Sequence, residues 1–271
     1  MTGKFRLGTL EGLNLEEITE MWNRCWRGYY YEMSYLPFHM KVWLDLSKVY
    51  LQHSVAIFEG HKVIGFSLLS VDGTDGWIAG TSIDPSYRHK GLFAPLLKTQ
   101  LDQARKIGLK RIYLEVLEQN YAYKVYESVG FGHIRKLNVY RAISDWKRYD
   151  QPVRFRPLDM VSLEQYFRYR RAFFCPSWQR KEEYLSRYGR TMPLLNSSRT
   201  AGALFTNEKN TLLLDVWSAA GDGATEVMAD VFDRIVQSLT LLNQPDDSIT
   251  FFLNQLGICP SAIQFEMCMK L

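Results

Sequence analysis

Apolar residues recur along this chain with two periods, one helical and one extended, and the two alternate in a definite order. Phe5 to Leu7 reads as a short strand. Leu15, Ile18, Met21, Trp22, Cys25 and Trp26 then follow helical spacing within residues 13–31. Asn14 is placed to cap that helix, and Glu16 and Glu17 put acid in its first turn. The aromatic stretch from Tyr29 to Pro37 reads as a loop, and His39 to Tyr50 as a second helix. Ser54 to Phe58 and Lys62 to Val71 form a hairpin about Glu59-Gly60-His61. Asp72 to Gly76 turns the chain into a third strand, Trp77 to Ile83. A helix over 92–107 places Leu92, Leu96, Leu97, Leu101 and Ala104 on one face, with Gly108 fitting its left-handed C-terminal position. Arg111 to Leu117 is a strand, Ala122 to Val129 a short helix ending at Gly130, and Phe131 to Ala142 a closing strand. This order predicts a mixed α/β sheet: an antiparallel meander followed by a βαβ crossover.

The polar segment from Ser144 to Val153 marks a domain boundary, dividing the chain into residues 1–145 and 146–271. A similar order then returns. Val153 to Leu158 resembles a first strand, Ser162 to Phe174 and Arg180 to Tyr188 two helices, and Ala201 to Phe205 and Thr211 to Ser218 two strands. An amphipathic helix is expected over 224–242, a strand from Ser248 to Leu253 and a closing strand from Ala262 to Met269. The second half reads as a shortened copy of the first.

One junction carries chemistry. After the strand ends at Ile83-Asp84-Pro85, the turn Arg88-His89-Lys90-Gly91 leads into the helix that starts with Leu92-Phe93-Ala94. The first amides of a helix lack intrahelical partners and point outward at the positive end of its dipole, which makes an anion site. Gly91 permits close approach of the backbone, and the basic residues add charge, so the expected guest is a phosphate or pyrophosphate.

Composition narrows the choice. The chain has 271 residues, with 46% hydrophobic and 14% aromatic, enough for packed cores. The net charge is +4, without the concentrated basic stripe of a nucleic-acid binder. Arg168, Arg170 and Arg171 read as a solvated helix face. Cys25, Cys175, Cys259 and Cys268 form no metal spacing, so no metal is expected, and most read as buried thiols in a reducing compartment. Met1 to Phe5 lacks the apolar core of a signal peptide and no run reaches membrane-span length, so the expectation is a cytoplasmic protein with no membrane partner.

Two motifs now give a resemblance. Arg88-His89-Lys90-Gly91-Leu92-Phe93 resembles the Gln/Arg-x-x-Gly-x-Gly/Ala turn of the GNAT superfamily of acyl-CoA-dependent N-acyltransferases, with Phe93 in place of the second small residue. Ile83-Asp84-Pro85 and Leu114-Glu115-Val116 also look like the family pattern. The segment from Gln119 through Ala122 and Tyr126 to Gly130-Phe131 is similar to the family's Asn-x-x-Ala-x-x-x-Tyr-x-x-x-Gly-Phe, with Gln119 at the Asn position and Asn120 one residue later. The resemblance covers residues 4–142. The second half carries no such signature. Its matching turn, Ala219 to Ala224, has glycines but no arginine, and Asp222 and Glu226 would oppose a phosphate.

The resemblance implies a tandem GNAT arrangement with a degenerate C-terminal half that does not bind coenzyme A. It implies acetyl transfer from acetyl-CoA to an amine of a small molecule or peptide by direct attack in a ternary complex. Lys90 to Ala94, with Arg88 and His89, would hold the pyrophosphate, and the pantetheine would lie beside Thr81, Ser82 and Ile83. A backbone N–H near Ser82 would steady the oxyanion, worth about 3 kcal/mol, and Tyr126 would protonate the leaving thiolate. Glu115 is a candidate proton relay. Trp22 and Trp26 read as packing, while Tyr29, Tyr30 and Tyr31 fall where acceptor loops lie and are suited to cation–π contact with an amine. The chain is expected to be a monomer with pseudo-dimeric halves or a homodimer. The alternative is a non-catalytic acyl-CoA-binding sensor or scaffold, for which Phe93, Gln119 and the missing carboxylate on strand 77–83 speak.

Overall fold

The structure is a computed structural model and describes residues 4–144, 155–207, 211–235 and 238–271. It contains two compact units: unit 1, Met1–Ile134 with Met267–Leu271, and unit 2, Arg135–Glu266. The expected boundary after residue 145 and nearly all of the polar segment around it lie outside the described residues.

Unit 1 follows the expected order. It comprises β1 (Arg6–Thr9), α1 (Leu15–Cys25), α2 (Pro37–Ser47), β2 (Val55–Glu59), β3 (Lys62–Asp72), β4 (Asp75–Ile83), α3 (Phe93–Lys106), β5 (Arg111–Leu117) and α4 (Ala122–Ser128). β1 to β4 are antiparallel neighbours, β4 and β5 run parallel, and the end of the C-terminal strand β12 (Ala262–Lys270) lies next to β5. Leu271 closes that side by donating its amide to the Lys110 carbonyl at 2.9 Å. The sheet is covered on both faces, so its strands are apolar at successive positions. Ala56, Phe66 and Leu68 pack against Ile18, Met21, Trp22 and Cys25 of α1 and Met40 of α2. Val55, Ile57, Ile64 and Ile83 face Leu92 and Leu96 at the start of α3. Asn14 does more than precede an acidic turn: it forms a full capping box with Glu17, at 2.9 and 2.8 Å.

Unit 2 departs more from expectation. β6 (Gly132–Ile143) begins in unit 1 and continues into unit 2. A four-stranded antiparallel sheet, ordered β10-β9-β8-β7, holds β7 (Asp159–Met160), β8 (Thr191–Leu195), β9 (Ala201–Thr206) and β10 (Leu213–Ser218). The expected strand Val153 to Leu158 is absent over 155–158, while residues 153–154 lie outside the described ones. β8 was not foreseen; Pro193 at its centre masks it. The helix of residues 162–174 is shorter, α5 (Leu163–Arg170), and 180–188 holds only the end of a 3-10 turn, Trp178–Arg180, and α6 (Glu182–Leu185). α7 (Gly221–Arg234) ends earlier than expected, and β11 (Leu239–Pro245) pairs antiparallel with β6. The segment expected to be a strand at Ser248 is helix α8 (Ser248–Gln255), because Asp247 caps it, accepting from the amides of Ile249 and Thr250.

Arg170 is not on a solvated face. It is 1% exposed and pairs with the buried Asp215 at 2.7 Å, while Arg171 reaches out to Glu182. Arg180, 2% exposed, donates its Nε to Asp215 at 2.7 Å, its Nη2 to the Val216 carbonyl of β10 at 2.6 Å, and its Nη1 to the Gln244 side chain of β11. Tyr166 adds a hydroxyl to Asp215 at 2.8 Å. Burial by itself would push the Asp215 carboxyl up, but Arg170 and Arg180, with the Tyr166 hydrogen bond, outweigh it and hold the group below the usual carboxylate range. Of the cysteines only Cys25 is buried; Cys175 and Cys259 are exposed and Cys268 is half-buried. Among the described residues, no helix is long and apolar enough to cross a membrane, and no group of His, Cys, Asp and Glu could hold a metal ion.

Candidate active site

The site begins where the sheet of unit 1 opens. β4 and β5 are paired only from Asp75↔Arg111 to Trp77↔Tyr113. The register of β4 on β3 then shifts between Ile78 and Gly80, a bulge at Ala79. Beyond it β4 stays with β3 and leaves β5. Asp84 donates its amide to the Ile64 carbonyl at 2.8 Å, and Phe66 lies opposite Ser82. Hydrogen-bonded pairs alternate along an antiparallel ladder, so the Ser82 amide also faces β3. The backbone groups that face the opening are those of Thr81 and Ile83. The Ser82 hydroxyl is used too, donating to the Cys25 carbonyl at 2.8 Å.

The strand-to-helix turn follows. Asp84 caps a single 3-10 turn, Pro85–Tyr87. His89 and Gly91 both take left-handed backbone, at φ of 60° and 70°. α3 then starts with no side-chain cap. The amides of Leu92, Phe93 and Ala94 therefore lack intrahelical acceptors, and Pro95 brings no amide. A Cβ built on Gly91 meets nothing within 4 Å, so the backbone there borders open space.

Arg88 does not point to that space as a free charge. Its guanidinium donates to the carbonyls of Ile83 at 3.1 Å, Cys25 at 3.0 Å and Arg27 at 3.4 Å. It ties the end of β4 to the C-terminal carbonyls of α1. Lys90 donates to the Ser86 carbonyl at 3.0 Å and lies over the Tyr87 ring. Nearby, Asp84 is buried and meets Arg24 at 3.1 Å and Lys62 at 3.4 Å.

These pieces border one cleft of about 710 Å³. Thr81, Ser82, Ile83, Arg88, His89, Gly91, Leu92, Phe93 and Ala94 all line it; Lys90, of the residues assigned to the cofactor, does not. The opposite wall is Trp26, Tyr29 and Tyr30 from the loop after α1, with Asn120, Tyr121, Ala122 and Val125 from the start of α4. Trp26 thus borders the cleft, whereas Trp22 is wholly packed.

Tyr126 stands one layer behind. It is buried on α4, edge-on to Phe93 at 5.6 Å and to Phe131 at 5.7 Å. Gly130, at φ 106°, lets the chain double back so that the Phe131 amide reaches the Tyr126 carbonyl at 3.1 Å. Burial, with a lesser push from Tyr29, raises the Tyr126 hydroxyl well above its ordinary value, so it keeps its proton at neutral pH. Glu115 accepts a 2.6 Å hydrogen bond from the Trp77 indole and lies outside the cleft lining. The clamp by Arg88 and the meeting of Tyr29 and Asn120 in one cleft were beyond sequence reasoning. The tyrosine run beside a helix end was the only local signal for the latter.

An opened mixed sheet, a glycine turn at a bare helix start and a tyrosine behind it are the features that the resemblance to acyl-CoA-dependent N-acyltransferases implies. Residues 15–131 match the model described as Acetyltransferase (GNAT) family. Over those residues, a little under half of the chain, this protein matches the GNAT family of acetyltransferases. The ribosomal protein bS18-alanine N-acetyltransferase of Haemophilus influenzae is 27% identical over 81 residues, 30% of this chain and 56% of that protein, so the match spans little more than half of the relative. A GCN5-related N-acetyltransferase from Sphaerobacter thermophilus has the same fold over 100% of this chain and 96% of its own, with a TM-score of 0.69 and 12% identity. A tandem GNAT protein from the clavulanic acid biosynthesis pathway matches over 98% of both chains, with a TM-score of 0.64 and 12% identity. The fold class is therefore a mixed α/β GNAT fold in tandem.

Proposed function

We propose that this protein transfers the acetyl group of acetyl-CoA to a primary amine by direct attack in a ternary complex, using residues 1–145. The observation that carries this reading is the single cleft joining the β4–β5 opening to the bare start of α3. The donors there fit a nucleotide diphosphate. Leu92, Phe93 and Ala94 offer amides at the positive end of α3, and the left-handed turn at His89 and Gly91 curls the backbone around the same space. Arg88 contributes by holding the turn in place rather than by contact. The edge of β4 at Thr81, with the Ile83 amide beside a carbonyl already held by Arg88, suits an extended amide chain laid alongside as one more strand.

Acetyl-CoA supplies an acetyl group already activated as a thioester. The backbone amide of Thr81 or Ile83 polarises the carbonyl. Tyr126 is the residue assigned to protonate the departing sulfur; it stands behind Phe93, so that ring must move aside for the proton to reach the cleft. Among the described residues no carboxylate lines the cleft, so the amine arrives neutral or gives up its proton to water. The acceptor of the Haemophilus relative is an alanine of a ribosomal protein, which supports an amine acceptor here. Residues 146–271 serve as a GNAT-like domain without a working coenzyme A motif.

The absence of a cleft carboxylate and the tethering of Arg88 also favour a second reading, an acyl-CoA sensor or scaffold. Release of free thiol from acetyl-CoA across a panel of polyamines, amino acids, aminoglycosides and peptide N-termini decides between them. Amine-dependent release supports transfer. Tight binding of coenzyme A with no release for any amine supports the sensor.

A further inference from the structure

Tyr29 occupies a position that the acetyl-transfer reading leaves unused. It lines the cleft together with Thr81 and Ser82 of β4 and Asn120 beyond β5, the two sides of the opening. Its ring packs edge-on against Trp26 at 4.6 Å and Tyr30 at 5.0 Å. The Asn120 Oδ1 accepts the Ala122 amide at 3.0 Å, which leaves the Asn120 amide nitrogen as the donor it offers to the cleft that Tyr29 also lines. The Tyr29 phenol has its own proton to give. The next residue secures the loop: the Tyr30 hydroxyl donates to the Gln119 carbonyl at 3.1 Å. Tyr126, in contrast, sits behind Phe93 and Val125 and does not line the cleft.

We propose that Tyr29 is a further catalytic residue, whose hydroxyl donates a hydrogen bond to the acyl carbonyl oxygen as that oxygen gains negative charge. The inference rests on the acetyl-transfer reading above. The hydroxyl keeps its proton throughout this role, and burial, its largest influence, raises its pKa accordingly. The donor is fixed in advance by the aromatic stack with Trp26, Tyr30 and Tyr31 and by the Tyr30 tether, which is the condition for such a hydrogen bond to lower a barrier.

The test compares Tyr29→Phe with the parent in the full chain, using acetyl-CoA and whichever amine the panel identifies. Tyr29→Phe should lower kcat by about 100-fold. Its KM for acetyl-CoA and its calorimetric affinity for coenzyme A should stay within about twofold of the parent. A kcat for Tyr29→Phe within about twofold of the parent overturns the proposal. So does a parallel loss of coenzyme A affinity. A parent protein that acetylates no amine removes the underlying reading and this proposal with it. An active parent with an unimpaired Tyr29→Phe removes this proposal alone. Thermal melting of the variant confirms that it is folded.

Discussion

The same element sequence occurs twice in this chain, and the two copies treat the same gap in opposite ways. In unit 1, β4, α3 and β5 leave an opening beyond Trp77 and Tyr113, bridged at its base by the Trp77 indole donating to Glu115 at 2.6 Å and widening into the cleft beyond it. In unit 2, β10, α7 and β11 are the counterparts. Arg180 lies between those strands, bonded to Asp215 and Val216 on one and to Gln244 on the other. The turns differ in the same sense. A Cβ on Gly91 meets nothing within 4 Å, whereas a Cβ on Gly223 would lie 2.6 Å from the Ser218 hydroxyl and 3.1 Å from the Ala201 Cβ. The front glycine keeps space for a ligand; the rear glycine lets helix pack on sheet. One fold thus leaves bare backbone donors at its opening in one unit and places a buried guanidinium and its carboxylate between the strands in the other.

The largest effect should come from removing the anion of the rear network. Asp215→Ala leaves the buried guanidiniums of Arg170 and Arg180 without their counter-ion, and should cost about 3–5 kcal/mol or more. Denaturant unfolding measures it. A loss under about 1 kcal/mol would show that the rear gap is held closed by something other than these charges.

Gly91→Glu attacks the front gap. A side chain at a left-handed φ costs about 1–2 kcal/mol, and its carboxylate stands where the anion is proposed to bind. Coenzyme A affinity should fall at least about 100-fold, close to 2.8 kcal/mol. Calorimetry on the folded variant reads it. Unchanged heat of binding would move the anion site away from this turn and dissolve the contrast with Gly223.

Tyr126→Phe separates the chemistry from the binding. Turnover should drop by roughly 10- to 100-fold, with coenzyme A affinity retained. Equal loss of both would make Tyr126 a packing residue like its neighbour Phe131.

The smallest effect is on pH. Tyr29, Tyr126 and Tyr166 all have hydroxyls raised from an ordinary value of 10.0, with burial as the first cause. A folded-state pKa raised above the unfolded one gives stability that is whole below pH 10 and is lost as the pH rises toward the folded value. Stability should therefore decline above pH 10, by at most about 1.4 kcal/mol per pH unit for each such tyrosine. Tyr126→Phe should make the alkaline slope shallower. An identical slope in the variant would mean that Tyr126 ionises as freely in the folded protein as in the unfolded chain.

Unit 1 was legible because its signals are local. The period-2 strands, the face of α3 at Leu96, Leu97, Leu101 and Ala104, the turn at Gly91 and the Tyr126-to-Phe131 motif each depend on residues within one or two turns of each other. Unit 2 was less so. The apolar stripe over 224–242 merges α7 with β11, because Leu239 falls on the helical stripe and also alternates with Leu241 in the strand, where both are buried. The branched and aromatic residues of 248–253 read as strand, and only the cap at Asp247 tips them into α8. The motif residues of the front cleft were on view as types, but not their use. Arg88 reads as a phosphate contact until its bonds to the carbonyls of Cys25 and Ile83 are seen.

By itself the sequence determined the order of elements in unit 1, the glycine turn and the tyrosine motif, since hydrophobic period and backbone permissiveness are properties of short segments. Tertiary structure alone decided that Arg180 lies between β10 and β11, that Arg170 is buried, that Asn120 and Tyr29 line one cleft beside the β4–β5 opening, and that Met267–Leu271 complete unit 1. Those outcomes depend on partners far apart in the chain, and a charge or hydroxyl is stable in a buried place only when such a partner is delivered to it.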